Sequence, residues 1–255
     1  RTYARWLEDE KRREEWPETV GRFISFLKLE RADSIPEKTY RKIEKYLLDF
    51  AVMPSMRFLW SAGAPASKDN TVIYNCSFAK MNCIDAFAEC LHILMCGTGF
   101  GFSVEKEEVK KLPKIPEIKS GRDKPLVLIE DSREGWADSV KVLMTSLYEG
   151  QNLYFDYSYL RPEGARLVTM GGRSSGPQPL IKLHDFIRET MHNAQGRKLS
   201  TLEVHDITNQ IAEIVVAGGV RRSSQISLSD IKDKEMRHAK DWPFPIRRAM
   251  ANNSA

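Results

Sequence analysis

The sequence predicts an α/β fold behind a helical N-terminal region, and three observations predict it. From residue 71 onward, helix-period segments alternate with short apolar runs of strand character. Glycine-rich loops punctuate that part of the chain, GTGFG at 97–101, GGRSSGP at 171–177 and GGVRRSS at 218–224. Ahead of residue 54 the periodic segments are helical, and 255 residues with a 42% apolar share are enough for one large or two small cores.

Segment 17–29 (PETVGRFISFLKL) carries apolar residues at helical spacing. A clearer helix is predicted over 35–52, with Ser34 and Glu37 at capping-box spacing, Pro36 in the first turn, an apolar stripe of Tyr40, Ile43, Leu47 and Phe50, and Pro54 as the stop. An irregular stretch follows, then TVIYNCSF as a short buried strand and a helix over about 85–96. FSVE, after the glycine cluster, predicts a strand; the Lys- and Pro-rich 106–125 predicts an exposed loop; LVLIE at 126–130 is strand-like. Trp136, Val140, Leu143 and Leu147 mark an amphipathic helix over 136–148, and two more helices fit 180–193 and 202–217. Between 149 and 179 the pattern gives short extended pieces and a loop.

Composition narrows the function classes. The charges, 39 Lys and Arg against 35 Asp and Glu, are mixed along the chain and leave +4, compatible with phosphorylated small molecules and too weak to argue for nucleic-acid binding. No window approaches the roughly eighteen uninterrupted apolar residues that a membrane span requires. The first residues have no signal-peptide core, and the missing initiator Met leaves the true start upstream or removed. Cys76, Cys83, Cys90 and Cys96, spaced by seven, seven and six residues, suit neither a zinc ribbon nor a disulfide framework, so a reducing compartment, the cytoplasm, is expected. The five histidines form no metal-binding pattern, and no metal site is expected.

A dinucleotide fingerprint needs a strand before its glycines and a helix after them; here helix precedes strand and the spacing is G-x-G-x-G, so that reading fails on context. Three glycines in five residues still offer close backbone approach and exposed N–H groups, or simply a helix C-cap with a bulge. GGVRRSS, after the helix VHDITNQIAEIVVA, presents Arg221, Arg222, Ser223 and Ser224, donors suited to phosphate or base edges. Arg173, Ser174 and Ser175 in GGRSSGP have the same chemistry as candidate phosphate contacts. Each loop alone reads equally as a glycine cap followed by solvated charge; together the three favour an anionic ligand of nucleotide type. Cys76 in YNCSF reads, on its own, as a small core residue.

In this order, MPSMRFLWSAG, YNCSF, MCGTGFGFSVE, EDSREGWADSVKVLM, FDYSYLRPEGARLVTMGGRSSGP, GGVRRSSQISLSD, MRHAK and ANNSA resemble the monomeric class II ribonucleotide reductases, across essentially the whole chain. The resemblance implies the first part of a ten-stranded α/β barrel: a helical region at 1–54, barrel strands at 55–130, an effector segment at 131–229 and a return into the barrel at 230–255. It implies reduction of ribonucleoside triphosphates with adenosylcobalamin, a deoxynucleoside triphosphate effector and a thioredoxin-like reductant. Cys76 then matches the first of two cysteines that reduce the ribose 2′ position, and Ser55, Asn75, Thr98 and Gly99 match positions lining the substrate. Gly218, Gly219, Val220, Arg221, Arg222 and Ser223 match the loop that senses the effector base on one side and the substrate base on the other.

The family's N-P-C-G-E radical-cysteine motif, its second redox cysteine and most of its cobalamin site do not occur in these residues. The chain is therefore expected to need a C-terminal remainder, and a half-barrel alone to leave unpaired strand edges and an exposed apolar face. Two alternatives stay beside this reading: a nucleotide-binding regulatory module without catalysis, and part of a class I large subunit.

Overall fold

The structure is a computed structural model that describes residues 4–31, 34–119, 126–166, 173–217 and 224–254. The chain divides into two compact units, Arg1–Asn75 and Cys76–Ala255.

In the first unit an antiparallel pair, β1 (Trp6–Leu7) and β2 (Arg12–Arg13), precedes α1 (Trp16–Arg31) and α2 (Glu37–Leu48). Two short helices follow, α3 (Met56–Ser61) and α4 (Ala64–Lys68), and then a 3-10 turn at Asn70–Ile73. The predicted capping box at α2 does not form. The helix begins at Glu37 with Pro36 as N-cap, so Glu37 lies at the first helical position, too early to reach back, and its carboxylate binds Lys28 instead. Nor does Pro54 stop α2: the helix ends at Leu48, and Phe50 turns to φ +56° and stacks on Trp16 with ring centroids 5.0 Å apart.

Helix α3 is held at both ends. The Ser55 hydroxyl accepts from Phe58 N at 3.2 Å. Two guanidiniums cover the free carbonyls at the other end, Arg22 Nη1 donating to Leu59 O and Ala62 O and Arg5 Nη2 to Ala62 O. Burial would raise the Glu14 carboxyl, but its ion pair with Arg22 at 2.8 Å outweighs that and holds it below the usual range.

The second unit is built on a four-stranded, all-parallel sheet in the order β3 (Cys76–Lys80), β4 (Gly99–Ser103), β7 (Gln225–Leu228), β8 (Ala251–Ser254). Between β3 and β4 runs α5 (Asp85–Met95), and after β4 comes α6 (Lys106–Val109). A separate parallel pair, β5 (Leu126–Leu128) and β6 (Tyr154–Asp156), is joined by α7 (Arg133–Tyr148); α8 (Gln178–Asn193) and α9 (Thr201–Ala217) lead back to the sheet. Helix α10 (Lys234–Arg237) and a 3-10 turn at Ile246–Met250 connect β7 to β8. This is the mixed α/β architecture the alternation predicts.

One sheet face meets α5 and α9. Phe100 and Phe102 of β4 are fully buried there in one core with Phe87 and Leu91 of α5 and Ile207 and Ile211 of α9. The turn before β8 is fixed by Arg248, whose guanidinium donates to both Asp206 oxygens at 2.6 and 2.7 Å.

Two expectations are corrected here. TVIYNCSF is not a buried strand: its first half is the 3-10 turn, and the strand begins at Cys76 with alternate side chains exposed, because helices cover only one face of the sheet. The stretch from 106 is not a simple exposed loop either, as far as residue 119. Leu112, Ile115 and Ile118, three residues apart between prolines, are buried, and Ile115 exchanges backbone hydrogen bonds with Gly196 and Arg197. Residues 120–125 lie outside the described residues.

Under the β5–β6 pair, His184 of α8 is buried against Phe155, ring centroids 4.4 Å apart. Ser139 Oγ spends its one proton on Trp136 O at 2.7 Å, so His184 Nε2–H donates to Ser139 Oγ (3.0 Å) and Nδ1 accepts from Tyr157 OH (2.7 Å). Burial, helped by the Arg188 charge, pushes the imidazole down to about 3. The unfolded chain therefore takes up a proton below about pH 6.5 that the folded one refuses, so this contribution to stability is complete above pH 6.5 and drains away as pH falls toward 3. The thermal midpoint is expected to decline across that window, and less steeply in His184→Phe. Equal slopes in the two proteins would show that His184 is not the proton-linked group.

Candidate functional site

Registered partners in a parallel sheet share a face. Cys76 pairs with Gly99, Phe78 with Gly101, and Gly101 with Ile226, while Ile226 pairs with Asn252. These residues lie on the face opposite the α5–α9 core, where Cys76 and Asn252 are exposed, Phe78 is 54% exposed and Ile226 44%. A Cβ on Gly101 would stand 3.1 Å from Phe78 Cδ2 and 3.4 Å from Ile226 Cγ2, so those two side chains lean in over a glycine floor. Beside Cys76 the shelf at Gly99 carries no side chain.

The glycine cluster differs from the turn the sequence suggests. Gly97, at φ +75°, caps α5, and its N–H donates to Leu94 O. Gly99, Phe100 and Gly101 are strand, not a bulged loop. Thr98 is buried and its N–H donates to Ile93 O, while Phe100 N donates to Ser224 O at 2.9 Å. The Gly97 and Thr98 amides are thus taken by α5 carbonyls and the Phe100 amide by the chain entering β7. The helix-then-strand order excludes the dinucleotide fingerprint, as the sequence indicates.

Ser224 is the first described residue after 218–223, so that segment joins the sheet beside β4, at the end where Cys76 and Gly99 lie. Gly218, Gly219, Val220, Arg221, Arg222 and Ser223 themselves lie outside the described residues, as do Gly171 and Gly172. The sheet thus brings together Cys76, Thr98, Gly99 and the exit of the arginine loop at the N-terminal ends of three adjacent strands, spaced about 4.8 Å apart.

The other candidates are placed as follows. Ser55 caps α3 and Asn75 is exposed, both within the first unit. Arg173 bridges to Arg166, its Nη1 donating to Gly164 O at 2.9 Å, and Ser174 Oγ accepts from Gly176 N, so residues 173–176 are tied to 164–166. Ser175 is half-buried, its hydroxyl donating to Gly176 O at 3.4 Å.

All four cysteines are free. Cys90 and Cys96 are buried; burial pushes the Cys90 thiol up, partly offset by a hydrogen bond from Gln225, and Cys96 Sγ accepts from Arg133 Nη1. Cys83 is exposed but lies in a turn, so Cys76 alone among them combines exposure with a place on the open face. Sequence reasoning missed Phe78, Gly101, Ile226 and Asn252. The period-two alternation in CSFAK was the available signal for Phe78.

Residues 116–191 match the model of the insertion domain of B12-dependent ribonucleotide reductases. Over its full length the chain is 28% identical to an adenosylcobalamin-dependent ribonucleoside-triphosphate reductase of Levilactobacillus brevis and 29% identical to one of Euglena gracilis. The chain is thus similar, along its whole length, to B12-dependent ribonucleotide reductases. A crystal structure of a B12-dependent (class II) ribonucleotide reductase superposes with a TM-score of 0.86 at 24% identity, covering 99% of this chain and 44% of that one, which establishes the shared fold. The chain spans 44% of the Levilactobacillus reductase and 38% of the Euglena one. The segment matched to the reductase insertion domain contains β5, α7, β6 and α8. No helix among the described residues is long and apolar enough to cross a membrane.

Proposed function

We propose that the protein carrying this chain reduces ribonucleoside triphosphates to 2′-deoxyribonucleoside triphosphates by an adenosylcobalamin-dependent radical mechanism, in a reducing compartment such as the cytoplasm. The observation that carries the proposal is the placement of a free, exposed Cys76 beside a bare glycine shelf, at the sheet end where Ser224 lies. Similarity to the reductases along the whole chain supports it.

Cys76 acts as one of two thiols. The 2′ hydroxyl leaves as water while two thiols become one disulfide, so two electrons and two hydrogens pass from sulfur to the products. A thioredoxin-like dithiol then reduces the disulfide by exchange, for which Cys76 has the required exposure. Thr98 and Gly99 line the substrate; residues 218–223, together with Arg173, Ser174 and Ser175, serve a deoxynucleoside triphosphate effector. A corrinoid needs a broad apolar cradle, and the described residues do not enclose one: Phe78 and Ile226 stand on a single sheet layer, exposed above. Its binding surface therefore lies outside the described residues, and the role of Cys76 is confined to thiol chemistry.

The test is to supply the full-length protein with each ribonucleoside triphosphate, adenosylcobalamin and a dithiol. Deoxynucleotide product that disappears when the cobalamin is withheld is expected. Nucleotide binding without product from any substrate would instead favour a regulatory module.

A further inference from the structure

A second site lies at the opposite ends of the same strands. A cavity of about 560 Å³ opens where β4 and β7 finish, lined by Lys106, Lys110, Lys198, Lys232 and Lys234 around the start of α9. Five lysines and two acids, Asp233 and Glu235, line it, and Lys106 Nζ stands 4.0 Å from Asp233 Oδ2. Asp233 is buried and already engaged, accepting from Thr201 Oγ1 at 2.7 Å and from the amides of Glu235 and Met236. Lys198 Nζ donates to Lys110 O, and Lys110 pairs with Glu107. Lys232 and Lys234 are exposed and have no ion-pair partner among the described residues.

The wall is fixed. Lys106 N donates to Asp230 Oδ2 at 2.7 Å, tying the end of β4 to that of β7, and Ser200 and Glu203 cap α9 reciprocally at 3.2 and 2.8 Å. Ser200 Oγ takes the Glu203 amide, and the Glu203 carboxylate at the same turn is paired with Arg197, so neither competes with the lysines for a ligand in the cavity. We propose that this cavity binds a di- or triphosphate group. Flexible lysines supply point charges with three donors each, which suits the many oxygens of a polyphosphate better than a single planar carboxylate. The volume falls within the range of small-ligand sites. Cys76 and Gly99 stand at the other end of the strands, about 13 Å of chain away, so this site is distinct from the thiol site.

Lysine acylation of the full-length protein, read by mass spectrometry with and without inorganic tripolyphosphate, tests the site. Protection of Lys198, Lys232 and Lys234, with Lys182 unchanged, is expected; no protection by tripolyphosphate overturns the proposal. ATP protecting at lower concentration than tripolyphosphate identifies a nucleotide as the source of the phosphates, and equal protection identifies the phosphate chain alone. In the K232Q/K234Q variant, the tripolyphosphate concentration giving half-protection of Lys198 is expected to rise about tenfold, or about 1.4 kcal/mol. An unchanged value would also overturn it, and it would do so whether or not the protein reduces ribonucleotides.

Discussion

Cys76→Ser in the full-length protein is expected, on the proposed reaction, to abolish repeated turnover with a dithiol reductant, a loss of about a thousandfold or more, on the scale of removing a covalent nucleophile from other enzymes. The reasoning is stoichiometric. Each product requires two thiols to become a disulfide, and a serine hydroxyl neither forms that bond nor delivers its electrons. Because Cys76 is exposed on an edge strand, replacing its sulfur by oxygen disturbs no packing, and stability should stay within about 0.5 kcal/mol of the parent. The loss is therefore separable from misfolding by comparing melting curves. Cys83→Ser serves as the matched control: an exposed thiol in a turn, away from the glycine shelf, whose loss leaves turnover intact. Undiminished turnover in Cys76→Ser would show that Cys76 is not a reducing thiol.

How far this site was legible in the sequence depends on the element. Helices announced themselves by period: the pattern over 85–96 is α5 at Asp85–Met95, and 202–217 is α9 at Thr201–Ala217. Strand character was also visible, but pairing was not. That β4 lies between β3 and β7, so that Gly99–Gly101 are strand rather than loop, follows from contacts that reach across more than a hundred residues of sequence. The same pairing turns Cys76 from an expected core residue into an exposed one, because only the register with Gly99, beside the buried Phe100, reveals which face of the strand meets the helices. The lysine cavity was invisible for a related reason: its cations come from three separate segments, around 106–110, 198 and 232–234, each of which alone is an ordinary solvated surface. Local signals misled where a longer-range partner won, as at Glu37, drawn to Lys28 of α1 rather than to a capping box.

Gly135 is the sharpest case of a demand the sequence hides, and it carries the largest expected stability effect. It sits in the first turn of α7, its N–H donating to the Ser132 cap at 2.9 Å, and nothing in REGWADS distinguishes it from a poor helix residue. The chain before the helix folds back so tightly that a Cβ at Gly135 would stand 2.3 Å from the Glu130 carbonyl oxygen and 2.8 Å from Glu130 Cβ. The nearest of these atoms is backbone, so no rotamer relieves the overlap. Helix α7 cannot shift freely to make room, since Val140, Leu143, Met144 and Leu147 anchor it in the core. Gly135→Ala is thus expected to cost about 3–4 kcal/mol, where the same exchange in an open helix would stabilise. Gly21 in α1 provides that contrast within one protein: no atom lies within 4 Å of the place an alanine methyl would take, and Gly21→Ala should gain about 0.5–1 kcal/mol from helix propensity alone. At roughly 2–4 °C per kcal/mol, the two alanines should move the melting midpoint in opposite directions, down by about 10 °C and up by about 2 °C. A Gly135→Ala protein that melts with the parent would mean that the Glu130 carbonyl does not close over α7.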